Sequence, residues 1–181
     1  MRANGRRYLP SVTRDRLTGV SPRPAVYPSI AGADLAGAVL VVETPDFTIH
    51  EIRIQRVSEV TPFWLGDPEL NETYELSYDA ATGERPLCQN PPSVDDVDGG
   101  EWPARLEALM FSGDRYDADS KTVIATGAEA GAWFNIACAG SALAKLHLNR
   151  FTEAGSDTTH ATTAAQRQAL LKMYVADVCG T

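Results

Sequence analysis

Thr163–Gly180 reads TAAQRQALLKMYVADVCG, and this stretch decides the fold. Thr163 followed three positions later by Gln166 is a capping-box signature, in which the hydroxyl and the amide satisfy each other's free backbone donors. Behind it, Ala169, Leu170, Met173, Tyr174 and Ala176 recur at helical spacing, and Gly180 is placed as a stop. A helix with one apolar stripe must bury it against another element. The nearest partner is a second helical stretch, Gly140–Arg150, with Ala139, Ala142, Leu143 and Leu146 on one stripe. Upstream of both, the periodicity is that of strands. Strands first and helices last predict an α+β fold: a mainly antiparallel sheet with two C-terminal helices packed on it.

The strand signals differ in clarity. Leu35–Glu43 reads as a buried strand, and Thr44-Pro45-Asp46 as the turn after it. Phe47–Val57 alternates but changes phase, because Phe47 and Ile49 have one parity and Ile52 and Ile54 the other. A β-bulge near His50–Glu51 would bring both pairs to one face. Tyr74, Leu76 and Tyr78 alternate with polar residues, as in a half-exposed strand. Gln89–Pro103 reads as a loop. Leu106–Phe111 and Lys121–Thr126 read as paired strands, and Trp133–Ala137 as one more. Residues 1–29, with Pro10, Pro22, Pro24 and Pro28, predict a mostly irregular basic arm before a single domain over 30–181.

Charge limits the partners. The chain of 181 residues has a net charge of −8, divided unequally. Residues 1–23 hold six arginines and one acid (Asp15), for +5; the remainder carries 10 basic and 23 acidic residues, for −13. An acidic body repels a phosphate backbone, so no nucleic acid is expected. The arginines of residues 1–23 leave an anionic partner as the open alternative to a solvated tail. No apolar run approaches the roughly 20 residues that span a bilayer. The first 30 residues have no apolar stretch of the secretory-signal kind.

Three cysteines, with no CxxC pair and no Cys/His cluster at ligand spacing, predict neither metal nor cofactor. Cys138 begins the first helix and Cys179 ends the second, so antiparallel helices would bring them together. Such a bridge is worth about 4 kcal/mol by chain entropy. Cys88 competes for either partner. Asp177 falls inside the apolar arc of the closing helix, in its last turn, where the macrodipole disfavours negative charge. A carboxylate placed so needs a hydrogen-bonded partner or a proton. Its structural reading is a pin for a neighbouring loop or strand; its catalytic reading is an acid or base. Cys138 at a helix start, with His147 nearby in sequence, is the matching thiolate alternative. Asp114, Asp117 and Asp119 surround a tight connection and read as turn residues that bond their own backbone, as do Asp95, Asp96 and Asp98. Ser141 lacks a full nucleophile elbow and reads as a small packing residue.

Met173-Tyr174-Val175-Ala176-Asp177-Val178-Cys179-Gly180 resembles the signature of the ADYC domain, a bacterial domain of unknown function named for Ala-Asp-Tyr-Cys. Phe134-Asn135-Ile136-Ala137-Cys138, followed by Ala142-Leu143-Ala144-Lys145, is similar to that family's strand, cysteine and helix, and Pro86-Leu87-Cys88 to its earlier cysteine. The likeness spans roughly residues 30–181. Val178 replaces the tyrosine of the name. Leu146 and Leu170 stand where two further cysteines are expected, so an apolar contact would replace a second disulfide. Relatives usually continue beyond the position of Thr181, which leaves a fragment or a misplaced start open. The resemblance implies a mainly myxobacterial, secreted protein, extracellular or periplasmic, and implies no activity. Two functions follow as expectations. The first is a non-enzymatic exported structural or binding module in which Asp177, Cys88, Cys138 and Cys179 serve structure. The second is a hydrolase-like enzyme using Asp177 or Cys138 with His147.

Overall fold

A computed structural model describes residues 1–43, 46–61, 70–89, 106–117, 120–125, 133–152 and 161–175. The basic segment is folded, which corrects the irregular arm expected over residues 1–29. Strands β1 (Arg2–Ala3) and β2 (Arg6–Arg7) form a ribbon around Asn4-Gly5, with φ of 49° and 72°. Two successive residues at positive φ make the turn that matches strand twist, and Asn-Gly favours it most strongly. Strands β3 (Leu9–Thr13) and β4 (Arg16–Val20) make the next hairpin, and β5 (Ile30–Ala31) pairs with β4. Tyr8 and Leu17 from this region are buried in the core. The prolines are accommodated because Pro10 lies on β3, an outer strand of a small sheet, where a missing N–H need not break a ladder.

The main sheet is built from β6 (Val39–Glu43), β7 (Ile49–Val60), β8 (Asn71–Ala80), β9 (Gly83–Pro86), β10 (Ala108–Ser112) and β13 (Phe134–Cys138) together with the first ribbon. Its antiparallel order is β13-β10-β8-β7-β6-β1-β2, with β9 also on β8. A short 3₁₀ turn, Gly32–Leu35, ends at the first residue of the predicted first strand, which begins only at Val39. Strands β11 (Arg115–Asp117) and β12 (Thr122–Ile124) pair separately. The expected pairing of Leu106–Phe111 with Lys121–Thr126 is therefore corrected. A sharp reversal at Gly113 (φ 120°) frees β10 to pair with β8 and β13 instead.

Alternation along β10 explains the layers. Ala108 and Met110 join one core cluster with Ile54, Tyr74, Leu76 and Leu17, beneath the small sheet. Leu109 and Phe111 face the other way, into a second cluster with the helices. A strand buried on both faces needs apolar residues at every position, and Ala-Leu-Met-Phe supplies them. β8 is likewise central and not half-exposed: Thr73 and Ser77 are buried as fully as Tyr74 and Leu76. The irregularity in β7 lies between Ile54 and Arg56, not at His50–Glu51. No bulge is needed earlier, because Phe47 and Ile49 face solvent.

Helices α1 (Ala142–Leu148) and α2 (Ala164–Tyr174) close the described chain. Ser141 caps α1 through its hydroxyl to the Ala144 amide, so it is a capping residue rather than a packing one. Thr163 and Gln166 form the full capping box predicted for α2. Leu146 is buried and Leu170 packs on the same cluster, consistent with an apolar contact at those two positions. The buried face of α2 is turned from the predicted arc. Arg167 and Leu171 point inward, while Ala169 and Met173 are exposed. Among the described residues no helix is long and apolar enough to cross a membrane.

Candidate functional site

Cys88 and Cys138 form a disulfide, with sulfurs 2.00 Å and Cα atoms 5.3 Å apart. Backbone ladders put them there. The Leu87 amide donates to Leu76 O, extending the β8–β9 pairing, and the Leu106 amide donates to Cys88 O. Two residues on, Ala108 lies opposite Cys138 in the β10–β13 register. The bridge thus ties the segment after β9 to the outer strand β13. This corrects the expected Cys138–Cys179 pair, since one sulfur holds one bridge and the sheet register reaches Cys138 through Cys88. Asp177 and Cys179, like Asp119 and the acidic Asp95–Asp98 run, lie outside the described residues.

His147 is buried on α1, its ring stacked on Phe111 at 4.1 Å and 9°. Nε2 lies 3.3 Å from the Asn71 amide nitrogen and Nδ1 2.7 Å from the Thr152 hydroxyl. An amide N–H pointing at Nε2 makes that atom the acceptor, so the proton sits on Nδ1 and goes to Thr152. Burial, with Arg150 adding repulsion, lowers the imidazole pKa to about 3. The Cys138–His147 dyad is corrected accordingly: Cys138 is bonded to Cys88 and offers no thiolate, and His147 is a neutral core group. Its ring packs on Phe111 in the core.

Two polar clusters hold buried charge. On α2, Arg167 Nε and Nη2 donate to Asp114 Oδ2 at 2.8 and 2.5 Å, and Nη1 donates to Thr162 O. Asn135 of β13 holds the same turn, its amide donating to Asp114 O at 2.9 Å and its carbonyl accepting from the Tyr116 amide. Asp114 was expected only to bond its own turn; it anchors a helix. Asp117 does behave as a turn residue, accepting from the Ser120 amide. On the opposite side, the Tyr74 hydroxyl donates to Glu72 Oε2 at 2.6 Å and accepts from the Leu17 amide at 2.8 Å. Burial first, then the Glu72 hydrogen bond, push the Tyr74 pKa well up, so this phenol stays neutral. Among the described residues there is no group of three or more His, Cys, Asp or Glu side chains able to hold a metal.

One part of the exposed surface is apolar. The helices cover the Leu109–Phe111 end of the second sheet face, whereas the β6–β7 end of that face carries exposed Val41 and Ile49. With Met1, Tyr8 and Leu9 they line a groove of about 640 Å³, flanked by Arg2, Arg7 and Glu51. Arg2 is paired with Glu51. Neither the groove nor the Asp114–Arg167 pair was found from the sequence. Asn4-Gly5 was the available signal for the first, since a hairpin there folds the arm onto the sheet.

Fold and site together define a class: a disulfide-tied α+β domain, a sheet covered by a small sheet on one face and two helices on part of the other. The chain belongs to the ADYC domain family, whose model matches residues 32–181. No curated protein and no solved structure matches it.

Proposed function

We propose that this chain is a non-enzymatic binding module that works in an exported, oxidising setting. The observation that carries the reading is the Cys88–Cys138 bridge. Bridges persist outside the reducing cytosol, and a domain that commits a well-placed cysteine to structure does not keep it as a nucleophile. His147, sealed beneath α1 and neutral, supports the same assignment. The catalytic potential of these residues is used to hold the fold, and the uncovered part of the sheet is left for contact.

Alkylating the protein directly from its native cells, without reductant, tests the compartment. Cys88 and Cys138 protected from the reagent support the reading; both alkylated would overturn it. Catalysis is tested separately with a panel of activated esters. Turnover that disappears in a folded His147→Gln variant would replace the module with a hydrolase.

A further inference from the structure

We propose that the groove between the first ribbon and the β6–β7 end of the sheet binds a single-chain anionic amphiphile, an aliphatic tail ending in a carboxylate. The proposal deepens the binding-module reading and rests on it. Three observations carry it.

The first is the wall. Leu9 and Ile49 are 63% and 62% exposed and Val41 44%, and all three line one concavity with buried Tyr8. Apolar side chains clustered around a concave surface, in place of single scattered ones, mark an interaction site. Its volume of about 640 Å³ lies in the range of small-molecule sites.

The second is charge. Glu51 at the rim is neutralised by Arg2, which leaves Arg7 as an uncompensated rim charge; Arg7 has no carboxylate partner among the described residues. Residues 1–23 carry +5 while all the rest carries −13. Of the arginines in that segment, Arg2 and Arg7 line the groove, while Arg16 pairs with Glu59 and Glu72, so the net positive charge that folding brings to the groove is that of Arg7. An anionic head group is drawn to that charge, and the net negative body offers it no general attraction.

The third concerns shape and backbone. A peptide adding itself to an outer strand would need free carbonyls and amides on β2. The Arg7 carbonyl is already taken by the Tyr27 hydroxyl at 2.9 Å, and the Tyr8 amide and carbonyl are closed onto Met1. Side-chain surface remains, suited to a flexible tail. A concave groove takes one chain, whereas a bilayer is met by a protruding face.

Calorimetry with submicellar dodecanoate on the whole protein tests this, beside its neutral glycerol monoester. Saturable binding at one site is expected. Ile49→Asp should weaken it at least tenfold, and Leu9→Ser should weaken it too. Arg7→Ala should weaken dodecanoate about threefold, as for an exposed ion pair, and leave the neutral ester unchanged. Unaltered thermal unfolding of each variant shows that the fold is kept. Absence of saturable dodecanoate binding overturns the proposal, as does equal binding by Ile49→Asp. Preference for anionic vesicles, or binding of an acidic peptide with no dodecanoate binding, also overturns it. Any such failure with the bridge intact and no esterase turnover removes the ligand class and leaves the module reading standing.

Discussion

Asp114 and Arg167, 53 positions apart, meet in the interior with side chains 6% and 5% exposed. Both guanidinium contacts fall on one carboxylate oxygen, and the third nitrogen reaches Thr162 O just before α2 begins. The pair therefore fixes α2 both in position and in starting point. Removing one partner of a buried ion pair strands the other charge, at a cost of roughly 3–5 kcal/mol. Arg167→Met should lower the unfolding free energy by that order in urea titration. Replacing both, with Asp114→Leu and Arg167→Met together, should recover part of the loss. A single variant as stable as the parent would show that the charges are not buried as a pair.

The Cys88–Cys138 bridge closes a loop with a sequence separation of 50. By chain entropy such a closure is worth about 4 kcal/mol. Cys138→Ser, or reduction of the parent, should destabilise by roughly 2–4 kcal/mol. Cys179 is the one cysteine of the sequence outside this bridge. Peptide mapping of the unreduced, alkylated protein should find the label on Cys179 alone. A Cys138–Cys179 peptide pair would contradict the sheet register described above.

The sequence carried the order of elements and the caps well, since both depend on local spacing. Thr163 with Gln166 predicted a box that forms as expected. The α2 face was misjudged because an apolar wheel cannot count an arginine as inward. Once Asp114 neutralises it, Arg167 joins Leu171 in the buried stripe. The disulfide partner stays open in the sequence between Cys179 and Cys88 for another reason. Helix ends suggested Cys179, but the position of Cys88 is set by a ladder running through β8 and β10, and pairing between distant strands leaves no local trace. The arm was misread because Pro and Arg content outweighed Asn4-Gly5, a two-residue signal that was present.

His147 predicts a pH dependence with a definite sign. Its folded pKa of about 3 lies below the ordinary 6.5. Between these values the unfolded chain binds the proton and the folded one does not, so stability rises with pH across this window. The contribution is complete above about pH 6.5 and is lost progressively as pH falls towards 3. In the parent, Tm should fall on going from about pH 7.5 to about pH 5. In His147→Gln, which keeps a polar group for Thr152 and Asn71, the fall should be smaller. An identical pH slope in the two proteins would mean that His147 is protonated in the native state.

Tyr74 decides whether the first thirty residues are a tail or part of the body. Its hydroxyl is the link between the buried Leu17 amide on β4 and the Glu72 carboxylate on β8. Tyr74→Phe keeps the ring in the core and deletes only that link. Leu17 N–H then loses its acceptor and Glu72 a donor; a buried donor left unpaired costs about 1–3 kcal/mol. The loss should be local as well as global, because β3 and β4 would detach from the main sheet more readily. Limited proteolysis reads this directly, since Arg14 lies in the β3–β4 turn and Arg16 follows it. Trypsin should cut the parent slowly at this turn and Tyr74→Phe several times faster, with Arg53 and Arg56 on β7 still protected. Rapid cleavage there in the parent would show that the segment is loose and that the groove it walls does not persist.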